Sequence, residues 1–127
     1  MLGLDIIKIS RMSRLIERFG DKGLKRFLCN DEILLVKSDK TAAGFWAVKE
    51  AFSKALGTGI GKECSFHDIR IYKTSKGAPK IALSKKLIEN FSILDVTLSI
   101  THDGDYAIGG VTIELEKSAA ANKVQEF

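Results

Sequence analysis

The chain lacks the residues that let a small protein do without a hydrophobic core. Only two cysteines, Cys29 and Cys64, occur in 127 residues, and neither falls in a metal or redox spacing. A disulfide framework and a cysteine-based metal site are thereby excluded, and both thiols are expected to be buried and reduced, as in a cytoplasmic protein. The two histidines, His67 and His102, form no metal-binding motif. No run of 18 or more apolar residues is present, which excludes a membrane-crossing helix. The opening Met1-Leu2-Gly3-Leu4-Asp5 has no basic stretch and meets an acid at once, so it does not read as a secretion signal.

What is present is an ordinary globular balance, 45% apolar and 28% charged residues. One domain is expected over residues 1–116, followed by a polar, alanine-rich tail over 117–127 that frays. The net charge of +4 is unevenly placed. Residues 1–26 hold seven basic and three acidic groups, whereas the rest of the chain holds 13 of each. The whole basic excess therefore lies near the N-terminus.

Leu2 to Ile9 reads as a buried strand interrupted by Asp5. Ser10 can cap a following helix with Met12, Leu15, Ile16 and Phe19 on its apolar face and Arg11, Arg14 and Arg18 on a basic one. Asn30 or Asp31 can cap a short helix through Leu35. A long helix is predicted from Asp39 or Lys40 to Leu56, closed by Gly57. Strands are predicted over Phe66 to Tyr72 and Lys80 to Leu83, joined by a turn at Lys76-Gly77-Ala78-Pro79. Ser84 can cap a helix over Lys85 to Asn90. Val96 to Thr101 and Tyr106 to Leu115 read as strands paired across His102-Asp103-Gly104-Asp105. This order predicts an α+β fold, a mainly antiparallel sheet packed with the long helix, and no doubly wound βαβ unit.

The long helix carries the densest chemistry. At about 100° per residue, Phe45, Val48, Phe52, Ala55 and Leu56 form the core stripe, while Trp46, Glu50, Ser53, Lys54 and Gly57 form a second one. Taken by itself, Glu50–Lys54 is an i,i+4 surface pair of about 0.3–0.5 kcal/mol. Asp5 is costly to bury unless paired or coordinated, and with Glu50 it can supply two carboxylates to a Mg²⁺ ion. Gly57-Thr58-Gly59-Ile60-Gly61 can cradle phosphate through backbone amides or simply end the helix; it follows a helix, unlike a P-loop or a Rossmann turn. His102 is a ligand donor or a polar strand terminus. The Arg11, Arg14 and Arg18 face fits nucleic-acid phosphate or an acidic protein, and the missing aromatic interleaving weighs against nucleic acid.

Three blocks in order resemble the holo-[acyl-carrier-protein] synthase family, the small bacterial 4′-phosphopantetheinyl transferases. They are Leu2 to Arg11, Phe45 to Gly61 with its Trp46-Ala47-Val48-Lys49-Glu50-Ala51 core, and Leu98 to Ala107 around Ser99-Ile100-Thr101-His102. The resemblance implies the 4′-phosphopantetheinyl transferase fold. It also implies transfer of the 4′-phosphopantetheine arm of coenzyme A to a serine of apo acyl carrier protein, releasing adenosine 3′,5′-bisphosphate, in fatty acid biosynthesis. By the same resemblance Asp5 and Glu50 ligate Mg²⁺, Lys54 contacts a phosphate, and Glu50 takes the serine proton directly or through a metal-bound water. Gly57, Thr58, Gly59, Gly77, Pro79 and His102 contact coenzyme A. Arg11, Arg14 and Arg18 dock the acidic carrier protein. A homotrimer with active sites between subunits is implied, with neither nucleic acid nor membrane as partner. Two departures stand out: Phe45 replaces the family's usual Arg, and Ala78 the usual Lys of the Gly-Lys-Pro turn.

Overall fold

The structure is a computed structural model that describes residues 1–116 and 125–126. Apart from residues 125 and 126, the tail expected over 117–127 lies outside the described residues.

The fold is built on one helix. The chain runs β1 (Leu2–Lys8), α1 (Ile9–Phe19), α2 (Asp21–Lys25), α3 (Asn30–Ile33) and α4 (Asp39–Leu56). A 3₁₀ turn over Phe66–Asp68 follows, then β2 (Ile69–Lys73), β3 (Pro79–Leu83), α5 (Lys85–Phe91), β4 (Ile93–Asp103) and β5 (Tyr106–Leu115). The strands form two antiparallel sheets, β1-β5-β4 and β2-β3. The α+β expectation holds, with the strands divided between two sheets.

Helix α4 starts where Ser38 accepts the Thr41 amide and stops where Gly57 turns left-handed at φ 86°. Of its 18 residues, twelve are buried. The predicted core stripe is inside, but so are Lys49 and Ser53, because α4 is covered on more than one face. Ser53, placed by periodicity in the stripe with Glu50 and Lys54, is thus buried, and its Oγ donates to the Glu50 carbonyl at 2.7 Å.

The sheet lies on α4 at backbone contact distance. A Cβ on Gly3 would stand 2.0 Å from the Ala51 carbonyl oxygen, and one on Gly109 would stand 2.6 Å from the Ala47 carbonyl carbon. Only glycine fits at either point. Residues two apart on a strand share a face, so Gly3, Asp5 and Ile7 face the helix. Leu2, Leu4 and Ile6 face away and are 67%, 60% and 58% exposed. The expectation of a wholly buried first strand is thus right for one face only.

Several boundaries differ from the sequence reading. Ser10 is not the cap of α1. It sits inside the helix, and its amide and Oγ both bond to the Asp105 carboxylate, at 3.1 and 2.9 Å. Asp105 thus caps α1 from the β4–β5 turn. Helix α3 starts at Asn30, and Cys29 holds the cap position, where its amide donates to Glu32 Oε1. Strand β2 begins at Ile69 because Phe66 to Asp68 form the 3₁₀ turn, and β4 begins at Ile93. Phe19 is more than a third exposed, held between the Arg18 and Arg26 guanidiniums at 5.2 and 4.2 Å. The Ser84 cap is as predicted. The β4–β5 hairpin also forms, but β4 extends through His102 and Asp103, so the turn is the two residues Gly104 and Asp105, and Gly104 supplies the positive φ of 56°.

Candidate active site

The close contact of Gly3 with Ala51 sets the next inward-facing residue, Asp5, beside α4. There Lys54 Nζ donates to Asp5 Oδ1 at 2.9 Å and to the Leu4 carbonyl at 3.3 Å. This replaces the i,i+4 pairing expected from spacing: Lys54 bridges to Asp5, and no Glu50–Lys54 ion pair occurs among the described residues. The bridge is half exposed on the lysine side, so it contributes at most about 1 kcal/mol.

Glu50 is half-buried on the same side. Burial, then the negative charge of Asp5, pushes its carboxyl above the ordinary range, and the Lys54 ammonium pulls the other way. Two carboxylates that repel each other, with a lysine between helix and strand, could together hold a hard cation. Among the described residues no group of three or more His, Cys, Asp or Glu side chains gathers to hold a metal. Two carboxylates alone suit Mg²⁺, which keeps waters and takes substrate phosphates as further ligands.

A second recess opens at the other end of α4. It is a cleft of about 180 Å³ lined by Thr41, Phe45, Lys73, Pro79, Ile100 and His102. His102 Nε2 lies 3.1 Å from the Lys40 carbonyl oxygen. Of the predicted coenzyme contacts, His102 and Pro79 therefore share one cavity, with Gly77 in the exposed turn before Pro79 at φ 85°. Lys73 and Thr41 were missed. Lys73 was readable only as one more surface lysine, and Thr41 only as part of a helix start.

The structure does not bring Gly57, Thr58 and Gly59 to that cavity. Lys40 and Gly57 are seventeen steps apart along the helix, a distance of about 25 Å. Nor are the amides free to cradle a phosphate. All three donate to the Ser53 carbonyl, at 3.1 to 3.2 Å, and so finish the helix.

Arg11, Arg14 and Arg18 are all exposed on α1. Arg11 also borders a groove of about 140 Å³ whose apolar walls are Ile7, Met12, Leu15 and Trp46. An apolar groove with a guanidinium rim suits an acidic, amphipathic surface. Both thiols are free, but only Cys64 is buried as expected; Cys29 is half-buried at the start of α3, and the Cys64 thiol is pushed up to about 11 by burial and by Asp68.

The site residues stand on elements whose counterparts are found in known proteins. Residues 1–111 match the model of the 4′-phosphopantetheinyl transferase superfamily. A holo-[acyl-carrier-protein] synthase of Sulfurimonas denitrificans is 64% identical over 124 residues, 98% of this chain and 100% of that protein. Among solved structures, the Helicobacter pylori holo-[acyl-carrier-protein] synthase in complex with coenzyme A superposes with a TM-score of 0.87 at 47% identity, over 90% of this chain and 100% of that one. The Bacillus anthracis holo-(acyl-carrier-protein) synthase in complex with CoA (3′,5′-ADP) gives 0.76 at 35%, over 91% and 96%. With the two carboxylates, the cleft and the basic helix in place on a matching fold, this chain belongs to the holo-[acyl-carrier-protein] synthases of the 4′-phosphopantetheinyl transferase superfamily.

Proposed function

We propose that this enzyme transfers the 4′-phosphopantetheine arm of coenzyme A to a serine of apo acyl carrier protein, with Mg²⁺, in the cytoplasm and in the service of fatty acid synthesis. The observation that carries the reading is the meeting of Asp5 and Glu50, from elements 45 residues apart in sequence, beside Lys54.

The serine oxygen bonds to the phosphorus that bears the pantetheine arm, and the bond to the bridging oxygen breaks. Adenosine 3′,5′-bisphosphate leaves with that oxygen. Asp5 and Glu50 would hold the Mg²⁺, which supplies charge neutralisation on the diphosphate when bound. The Lys54 ammonium, on a flexible stem and half exposed, can leave Asp5 for a phosphate oxygen. Glu50, its proton affinity raised, is the group suited to take the serine proton. The cleft of Thr41, Lys73, Pro79 and His102 receives the nucleotide end, and the Arg11–Arg14–Arg18 face docks the carrier.

The exposed Leu2, Leu4 and Ile6 of edge strand β1 give an apolar strip suited to joining copies into a trimer.

The test is incubation with apo carrier protein, coenzyme A and Mg²⁺. The carrier is expected to gain the mass of one phosphopantetheine arm, and chelating the metal should prevent it. An unchanged carrier mass would sink the reading. For docking, Arg14→Glu is expected to raise the KM for the carrier about tenfold, as close charge pairs across an interface are worth one to several kcal/mol. Coenzyme A affinity should stay within twofold; equal loss of both would argue against docking on α1.

A further inference from the structure

Lys49 is fully buried, one residue before Glu50, and the reaction proposed above does not use it. Its ammonium has three donors and meets three acceptors: the Phe27 carbonyl at 2.6 Å, Glu32 Oε1 at 2.9 Å and the Phe66 carbonyl at 3.1 Å. Glu32 is also buried, and its other oxygen, Oε2, accepts the amide of Ile71 in β2 at 2.9 Å. One ion pair therefore ties four segments: the α2–α3 connection, α3, the 3₁₀ turn and strand β2, all to α4. Burial lowers the proton affinity of Lys49 and the charge of Glu32 opposes it, so the pair stands as a charged unit only while both partners are present.

The position of this unit matters more than its strength. Lys49 is four residues after Phe45, hence on the same face of α4 and about 6 Å further along it. Phe45 and Thr41 form the helix wall of the cleft. Ile71 is two residues before Lys73, hence on the same face of β2, and Lys73 pairs with Pro79 to form the opposite wall. The ion pair thus spans the same two elements as the cleft, just beneath it.

We infer that Lys49 and Glu32 are positioning residues that set the spacing of the nucleotide cleft by holding β2 against α4. The inference rests on the reading that this cleft takes the nucleotide end of coenzyme A. Neither residue touches substrate; they act through Phe45, Lys73 and Pro79.

Glu32→Gln is the informative variant. It can keep a carbonyl oxygen on Lys49, but it turns an amide NH₂ toward the Ile71 amide, so a donor faces a donor. Coenzyme A binding, measured by titration calorimetry, is expected to weaken about tenfold through loss of that buried hydrogen bond. The KM for coenzyme A should rise in step, while kcat and the KM for the carrier stay within twofold. Because loss of a buried hydrogen bond also costs stability, the paired variant Lys49→Met with Glu32→Leu provides a second measurement. Removing both charges together leaves no unpaired ion, and such apolar replacements are often neutral to stability. It should still bind coenzyme A about as weakly as Glu32→Gln, since Ile71 has again lost its acceptor. Wild-type affinity in either variant would overturn the inference, as would an equal rise in both KM values. Lys73→Glu and His102→Ala are the controls for the cleft itself. Unchanged coenzyme A binding in both would overturn the cleft reading, and the spacing role with it. Weakened binding in these controls beside wild-type affinity in Glu32→Gln would overturn the spacing role alone.

Discussion

Glu50→Gln is expected to lower turnover on the order of 10³-fold while leaving the circular dichroism spectrum and the assembly unchanged. The fold should tolerate it because the Glu50 carboxylate makes no hydrogen bond and no ion pair among the described residues, and glutamine has nearly the same shape. The chemistry should not tolerate it, since a neutral amide neither offsets cation charge nor accepts a proton. Normal turnover of this variant with coenzyme A and Mg²⁺ would remove Glu50 from the site.

The same variant has a signature in pH. Burial and Asp5 raise the Glu50 carboxyl in the folded protein above its ordinary value of 4.5. The folded state thus binds this proton more tightly than the unfolded state. Its contribution to stability is present below the ordinary value and is lost as pH rises through the raised one. Activity runs the other way, because the working form is the carboxylate: it should fall on acidification, at a lower pH in excess Mg²⁺, which favours the charged form. In Glu50→Gln the stability difference across that window should vanish, and thermal melts at a series of pH values will show it.

Gly3→Ala is the second large effect. The added methyl would lie 2.0 Å from the Ala51 carbonyl oxygen and 2.7 Å from the Ala55 amide nitrogen, both backbone atoms of α4. Neither can rotate away, so β1 must lift from the helix at a cost of about 3 kcal/mol. The urea midpoint should drop by roughly 2 M for a slope near 1.5 kcal/mol/M. Folded molecules at low urea should also turn over more slowly, since lifting β1 carries Asp5 away from Glu50. Gly61→Ala is the control, because a Cβ there meets nothing within 4 Å. A Gly3→Ala midpoint equal to that of Gly61→Ala would refute the close-packing account.

The parts of this protein legible in its sequence are those fixed by neighbours along the chain. Both ends of α4 could be read because Ser38 and Gly57 act on amides and carbonyls within a few residues. The pairing of Lys54 could not, since its partner Asp5 lies 49 residues away and is delivered by strand packing. Nor could the anchoring of α1 by Asp105, across 95 residues, from a turn whose residues read simply as a hairpin signal. The burial of Lys49 and Ser53 was illegible for another reason. Periodicity locates one buried face, and a helix covered on several sides has more than one. Of the residues the resemblance singles out, Asp5 and Glu50 stand together beside Lys54, and His102 lines the cleft. Their division between the two ends of α4 is a fact of three dimensions that no motif spacing contains.

That helix has a consequence for motion. Local opening is cheapest where few apolar groups are buried and dearest in the core. Here the core element itself bears Thr41, Phe45, Glu50 and Lys54, with twelve of its 18 residues inside. The end that carries Glu50 and Lys54 is expected to open only at high cost, because it belongs to this buried element. Give must come from the periphery, where the β2–β3 turn is exposed at Ser75, Lys76, Gly77 and Ala78. The helix wall of the cleft is therefore tied into the core, and its opposite wall is carried by a hairpin that ends in an exposed turn.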